Sequence, residues 1–168
     1  MLISEEYREQ NRKLHESNQT YGVSGGKYAG LVGKMCSDIK ATKILDYGCG
    51  KQKLKEALPN IEVIGYDPAI PGIDVKPEEK FDLVYCGDVL EHIEPDSLDS
   101  VLTDIKNSMN KIGVLVTNSE PAKKTLPDGR NAHLIQKPAY WWFERLSEKF
   151  RIQNYVNHGR DHVFIVLT

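Results

Sequence analysis

The sequence predicts an α/β fold in three layers, a mostly parallel sheet between helices with a C-terminal antiparallel hairpin at one edge. Apolar strand-like runs alternate with helical stretches from residue 43 to residue 149, the order that builds a parallel sheet through helical crossovers. The first run, Ile44-Leu45-Asp46-Tyr47, breaks at Gly48-Cys49-Gly50, and the second, Val63-Ile64-Gly65-Tyr66, ends on Asp67. The chain closes on two strand patterns, Arg151 to Tyr155 and His162 to Leu167, joined by the turn-forming Asn157-His158-Gly159-Arg160-Asp161.

Residues 4–17 are charged and polar with good helix formers, and Ser4 opens a Ser-Glu-Glu-Tyr capping pattern. Their sparse apolar set, Tyr7 and Leu14, predicts a loosely attached helix. Tyr21-Gly22-Val23-Ser24-Gly25-Gly26 reads as a glycine-rich hinge. Tyr28, Leu31, Val32, Met35 and Ile39 recur at helical spacing and predict a helix over residues 27–39. Residues 1–40 are therefore expected to form a helical lid on a domain of residues 41–168. That domain is expected to hold strands 43–47, 61–66, 81–86 and 112–118 and helices 51–58, 95–110 and 138–149. Only thirteen residues separate Asp67 from Phe81, with Pro68, Pro71, Gly72 and Pro77 among them. Prolines there prevent a full helix, so the fold is expected to be reduced after its second strand.

At 168 residues with 40% apolar content, the chain suffices for one core. A formal charge of −2 argues against broad electrostatic capture of nucleic acid, though not against a local basic patch. Cys36, Cys49 and Cys86 are scattered without a C-x-x-C pair, the pattern of buried reduced thiols rather than of a disulfide framework or zinc site. Met1-Leu2-Ile3 runs at once into Ser4-Glu5-Glu6, and no apolar run approaches membrane-spanning length, so a cytoplasmic location without a membrane partner is expected.

Absent side chains at Gly48 and Gly50 let backbone N–H groups approach a ligand, and a carboxylate ending the next strand suits a bidentate bond to ribose hydroxyls. The two strand ends together make a nucleoside pocket. A dinucleotide loop wants a third glycine, whereas Lys51, Gln52 and Lys53 follow Gly50 here. Asp46, just before the turn, would repel a pyrophosphate and suits a ligand carrying an ammonium group. Asp46-x-Gly48-x-Gly50 with Asp67 resembles the class I S-adenosylmethionine-dependent methyltransferases. The resemblance continues through Phe81-Asp82-Leu83-Val84-Tyr85-Cys86, similar to that family's fourth strand, into Asp88-Val89-Leu90-Glu91-His92-Ile93.

The resemblance implies a Rossmann-like fold with S-adenosyl-L-methionine as cofactor. It places the methionine end on Asp46, Tyr47, Gly48, Cys49 and Gly50, the ribose on Asp67 beside Pro68, and Gly87, Asp88 and Val89 along the remaining wall. The family's helix and extra strand after Asp67 have no room in this chain, so its usual adenine contacts do not carry over, Ile73 and Asp74 being weak substitutes.

Methyl transfer is an in-line displacement at a cationic sulfonium, so a protein mainly aligns the nucleophile and excludes water. Asp88-x-x-Glu91-His92 has the i, i+3, i+4 spacing of a metal-chelating turn. It is similar to the Glu-x-x-Glu-His of ubiquinone-pathway O-methyltransferases and small-RNA 3′-end methyltransferases, where those groups bind a divalent ion, and this implies Mg²⁺ on Asp88, Glu91 and His92. The competing reading has Asp88 cap the turn while His92 packs locally. Arg130, Asn131 and His133 place three hydrogen-bonding side chains in one short loop, with His133 as candidate general base or substrate clamp and Asp88 beside it. Lys123-Lys124 read as the edge of a phosphate-attracting rim.

The compact chain leaves no room for a separate target-recognition domain, and Cys86-Gly87-Asp88-Val89 is not the Asp/Asn-Pro-Pro-aromatic motif of DNA amino-methylation. A small-molecule or nucleotide acceptor is expected. The alternatives are a nucleic-acid substrate, RNA or a modified DNA base, and a non-catalytic cofactor-binding module.

Overall fold

The structure is a computed structural model that describes residues 1–168. Its elements are α1 (Glu5–Ser17), α2 (Ala29–Ile39), β1 (Lys43–Tyr47), α3 (Lys53–Ala57), β2 (Glu62–Tyr66), β3 (Phe81–Gly87), α4 (Leu98–Ser108), β4 (Met109–Asn118), α5 (Ala139–Ser147), β5 (Arg151–His158) and β6 (Asp161–Leu167). The strands form one sheet in the order β2-β1-β3-β4-β6-β5. β2, β1, β3 and β4 run parallel, and β6 lies antiparallel to both β4 and β5. The α/β class, the mostly parallel sheet and the antiparallel C-terminal hairpin thus match the expectation.

Alternation along the strands sorts the core onto two faces. Leu45, Val84, Cys86, Leu115 and Phe164 point to one side, where α4 supplies Leu98, Leu102 and Ile105 and α5 supplies Trp142 and Leu146. Ile44, Leu83, Tyr85, Val114 and Val163 point to the other, against Val32, Met35 and Cys36 of α2 and Leu54 of α3. The central strands are apolar on both faces because both faces are covered. No helix is long and apolar enough to cross a membrane.

Four local differences from the sequence reading have physical causes. The 27–39 helix belongs to one layer of the sandwich rather than to a lid, because its apolar stripe is wide enough to cover β1 and β3. Its start is a separate 3-10 turn, Ser24–Tyr28, which the two glycines at 25 and 26 allow. α1 is not loosely attached: Tyr7 is only 3% exposed, Leu14 packs on Leu126, and the Tyr7 hydroxyl donates to the carbonyl of His92. Its N-cap Ser4 also donates through both N and Oγ to the Glu94 carboxylate. β4 starts at Met109, three residues early, since Asn110 and Lys111 are solvated and carry no apolar signal.

Between β2 and β3 there is neither helix nor strand. Asp67 N–H donates to the Ile73 carbonyl at 2.9 Å, closing a compact turn through Pro68 and Pro71. That reduction leaves β2 as the end of the sheet.

Candidate functional site

The C-terminal ends of β1, β2 and β3 open into a cavity of about 350 Å³. Gly48, Gly50, Asp67 and Val89 form its floor, one face of α1 (Tyr7, Asn11, His15) with Ile3 just before it forms one wall, and the segment after β4 with Ala132 and His133 forms the other. Gly48 has φ +76°, and a Cβ there would meet Val89 Cγ2 at 2.4 Å, so the floor is open only because the position is glycine.

Asp67 is 7% exposed and held by two backbone donors, Gly50 N–H on Oδ2 at 3.1 Å and Ala69 N–H on Oδ1 at 3.0 Å. Burial raises its pKa, while the facing His15 and the two donors work against that rise. Asp46 is 2% exposed, and its Oδ2 has no partner. Burial, then the nearby charge of Asp67, pushes its carboxyl up to about 7. Asp46 does not itself line the cavity; it lies beneath the 24–26 turn, where a Cβ on Gly25 would come to 3.9 Å from Oδ2.

The other expected cofactor residues divide. Pro68, Asp88 and Val89 line the cavity; Tyr47, Cys49 and Gly87 do not. Tyr47 points to the opposite face, where its hydroxyl donates to Asp104 at 2.9 Å. Cys49 Sγ packs where a Cβ on Gly65 would lie, and Tyr85 Oη fills the space beside Gly87.

The three residues expected to chelate on one turn do not converge. Asp88 has φ +54°, outside the following 3-10 turn Leu90–His92, and its carboxyl faces Ser24 and Lys27. The residue that joins Glu91 and His92 is His133, the three donor atoms all lying within 4.8 Å of one another. Glu91 is fully buried with both carboxylate oxygens unpartnered, and burial, reinforced by Asp88, raises its pKa well above the usual carboxyl range. His92 Nδ1 is likewise without a partner, and burial together with His133 lowers its pKa to about 3. His133 Nδ1 lies 2.5 Å from the Glu120 carbonyl. A carbonyl only accepts, so Nδ1 carries the proton and Nε2 presents a lone pair.

Arg130 and Asn131 lie outside the cavity wall. Arg130 folds back on Asp128, Nε donating to Oδ2 at 2.7 Å, and is half exposed. Asn131 is a staple: Oδ1 accepts from the N–H groups of Ala122 and His133 at 2.9 Å each, and Nδ2 donates to the Ala122 carbonyl at 2.9 Å. It positions His133 without facing the cavity.

The hinge is pinned on its far side by the buried Asp161, which pairs with Lys27 and accepts from Tyr28 Oη at 3.0 Å and Asn118 Nδ2 at 2.9 Å. The wall residues Ile3, Tyr7 and Asn11 carry no functional motif. Their one signal is the i, i+4 spacing that they share with His15.

A family profile described as a methyltransferase domain matches residues 8–158. Among solved structures the fold is similar to the Burkholderia thailandensis 1,6-didemethyltoxoflavin-N1-methyltransferase, a structure with bound 1,6-didemethyltoxoflavin and S-adenosylhomocysteine, at 14% identity and TM-score 0.69, covering 100% of this chain and 91% of that one. It is also similar to an S-adenosylmethionine-dependent methyltransferase from Clostridium acetobutylicum ATCC 824, at 13% identity and TM-score 0.66, covering 84% of this chain and 90% of that one. A third is the methyltransferase domain of bacterial CtHen1-CN, at 14% identity and TM-score 0.63, covering 87% of this chain and 100% of that one. No curated protein matches the sequence.

Proposed function

The chain belongs to the methyltransferase-domain family, and we propose that it transfers a methyl group from S-adenosyl-L-methionine to a small-molecule or nucleotide acceptor. One observation carries this reading: the oriented Asp67 carboxylate, the side-chain-free floor at Gly48 and Gly50, and the lone pair of His133 share one cavity of about 350 Å³. The residues fit the cofactor. Asp46, buried beneath the 24–26 turn with Oδ2 unpartnered, puts a carboxylate under the floor, and its charge would favour an ammonium group in the cavity above.

Bound S-adenosylmethionine supplies a methyl group on a cationic sulfur, open to in-line displacement. Asp67 would accept from the ribose hydroxyls, and Asp46 would favour the ammonium by its charge from beneath the floor. α1 and the segment after β4 close over the site and exclude water. His133 Nε2 would take the proton of the acceptor while Nδ1–H stays fixed on the Glu120 carbonyl and the His133 N–H on Asn131 Oδ1. Lys123, Lys124 and Arg160 line the mouth and favour an anionic acceptor.

A second reading has its own observation, the buried and unpartnered Glu91 carboxylate within reach of two imidazoles. Glu91, His92 and His133 would hold a divalent cation there, which would supply charge neutralisation and Lewis acidity. Two nitrogens and one oxygen suit Zn²⁺, Mn²⁺ or Fe²⁺ better than Mg²⁺, whose preference is for oxygen. His133 Nε2 cannot be both ligand and base, so the two readings exclude each other.

Titration of the purified protein with S-adenosylhomocysteine, followed by incubation with labelled S-adenosylmethionine and fractionated host extract, tests the proposal. Saturable binding and label on a small acidic metabolite are the expected results. Absence of S-adenosylhomocysteine binding overturns the reading, and label on RNA or DNA replaces its acceptor.

A further inference from the structure

We propose that His15 of the N-terminal helix is a ribose ligand, donating to the hydroxyl from which Asp67 accepts, so that α1 is part of the cofactor site as well as its cover. The inference rests on the reading of Asp67 as the ribose carboxylate.

His15 Nε2 lies 3.9 Å from Asp67 Oδ2, with the two side chains only 11% and 10% exposed. That separation is too long for a hydrogen bond between them. It is a separation that one oxygen roughly 2.8 Å from each can bridge, a hydroxyl that donates to the carboxylate and accepts from the imidazole N–H. His15 Nδ1 is buried without a partner, and Nε2 is the ring nitrogen on the side of Asp67, both residues lining the cavity.

The imidazole is seated there by a built arrangement. Its ring packs 4.6 Å from that of Tyr21, and on another side it meets the backbone of Gly22, where a Cβ would come to 2.6 Å from Cε1. Gly22 has φ +70°, and its carbonyl accepts the Lys51 N–H at 2.8 Å, which fastens the hinge across the Gly48-x-Gly50 loop. His15 continues the stripe of Ile3, Tyr7 and Asn11 that faces the cavity. A hydroxyl bridging His15 and Asp67 would therefore tie α1 to the end of β2, and cofactor binding would stiffen α1 as much as α1 favours binding.

The test uses the full chain and isothermal titration with S-adenosylhomocysteine and its 2′-deoxy and 3′-deoxy analogues. His15→Ala is expected to weaken S-adenosylhomocysteine binding about three- to tenfold, the loss of one hydrogen bond, and to leave affinity for one of the two deoxy analogues within about twofold of wild type. His15→Gln, which keeps an N–H donor, is expected to recover part of the loss and serves alone if the alanine variant does not fold. Unchanged binding of S-adenosylhomocysteine by the variants overturns the inference, as does an equal loss for all three ligands, which would mark a packing role. Failure of the wild-type protein to bind S-adenosylhomocysteine instead overturns the reading of Asp67 beneath it.

Discussion

The rings of His92 and His133 meet edge to face, their centroids 4.6 Å apart at 88°, although the residues lie on separate segments. One ring is carried by the 3-10 turn after β3 and the other by the loop that the Asn131 staple holds, and the Ile135 N–H, donating to the Glu91 carbonyl at 2.9 Å, ties the same two parts of the cavity wall together.

The first prediction concerns His133 against Arg130. His133→Ala should lower kcat by roughly 10²–10⁴-fold, the range for a positioned acid–base group, with S-adenosylhomocysteine affinity nearly unchanged. Arg130→Ala should leave both untouched, since that side chain is turned to Asp128. A turnover assay with calorimetry on both variants decides; equal effects from the two would remove His133 from the mechanism.

Metal content separates the two readings of that histidine. If the cation reading holds, protein dialysed against Zn²⁺ or Mn²⁺ retains about one equivalent by elemental analysis, while Glu91→Gln and His92→Asn variants retain none. Undiminished activity in excess EDTA, with no bound metal, would leave Glu91 as a buried neutral acid and His133 as the base.

Asp67→Ala should remove charge-assisted hydrogen bonds worth roughly 1.5–3 kcal/mol and weaken S-adenosylhomocysteine binding about ten- to a hundredfold. Calorimetry showing wild-type affinity in this variant would place the ribose elsewhere.

The carboxyl of Asp46, pushed up to about 7 by burial, gives a pH signature. Between about pH 4 and 7 Asp46 holds a proton in the folded chain that it has released in the unfolded one, so its contribution to stability falls as pH rises through that window and levels off above it. An ammonium group partners the ionised form, so the rise in Tm caused by S-adenosylhomocysteine should grow from pH 5.5 to pH 8. In Asp46→Asn that growth should flatten; an equal slope in both proteins would exclude the pairing.

Two glycines of similar backbone geometry should respond differently to alanine. At Gly48, φ +76°, the new methyl would lie 2.4 Å from Val89 Cγ2, whereas at Gly72, φ +89°, nothing lies within 4 Å. Gly72→Ala should cost only backbone strain, on the order of 1–2 kcal/mol. Gly48→Ala should lose more and should also close the cavity floor. Denaturant midpoints for the two variants check the order.

The sandwich was legible because β1, β3, β4 and β6 are apolar at consecutive positions, which only a sheet covered on both faces requires. The floor was legible in the glycines and in Asp67. The walls were not. Tyr7, Asn11 and His15 mix aromatic and polar types, so their shared face looks like a weakly amphipathic surface helix until the hinge folds it over the Gly48-x-Gly50 loop. Local spacing suggested Asp88 as the partner of Glu91 and His92, but a left-handed residue at 88 breaks the turn geometry on which that spacing depends. His133 replaces it from a loop whose path is set by the Asn131 hydrogen bonds. For the same reason sequence proximity could not show that Arg130, Asn131 and His133 would turn three different ways.

The shortened passage from β2 to β3 bears on how copies of this chain meet one another. A sheet that ends on a strand displays backbone donors and acceptors to any extended segment nearby, the route by which sheets join edge to edge. Here one end is β2, five residues long with the charged Glu62 at its start, and the other is β5, an eight-residue strand rich in Arg151, Gln153, Asn154 and Asn157. Brevity guards the first edge and polarity the second, so the chain that dispenses with further strands keeps its two margins unattractive to neighbours.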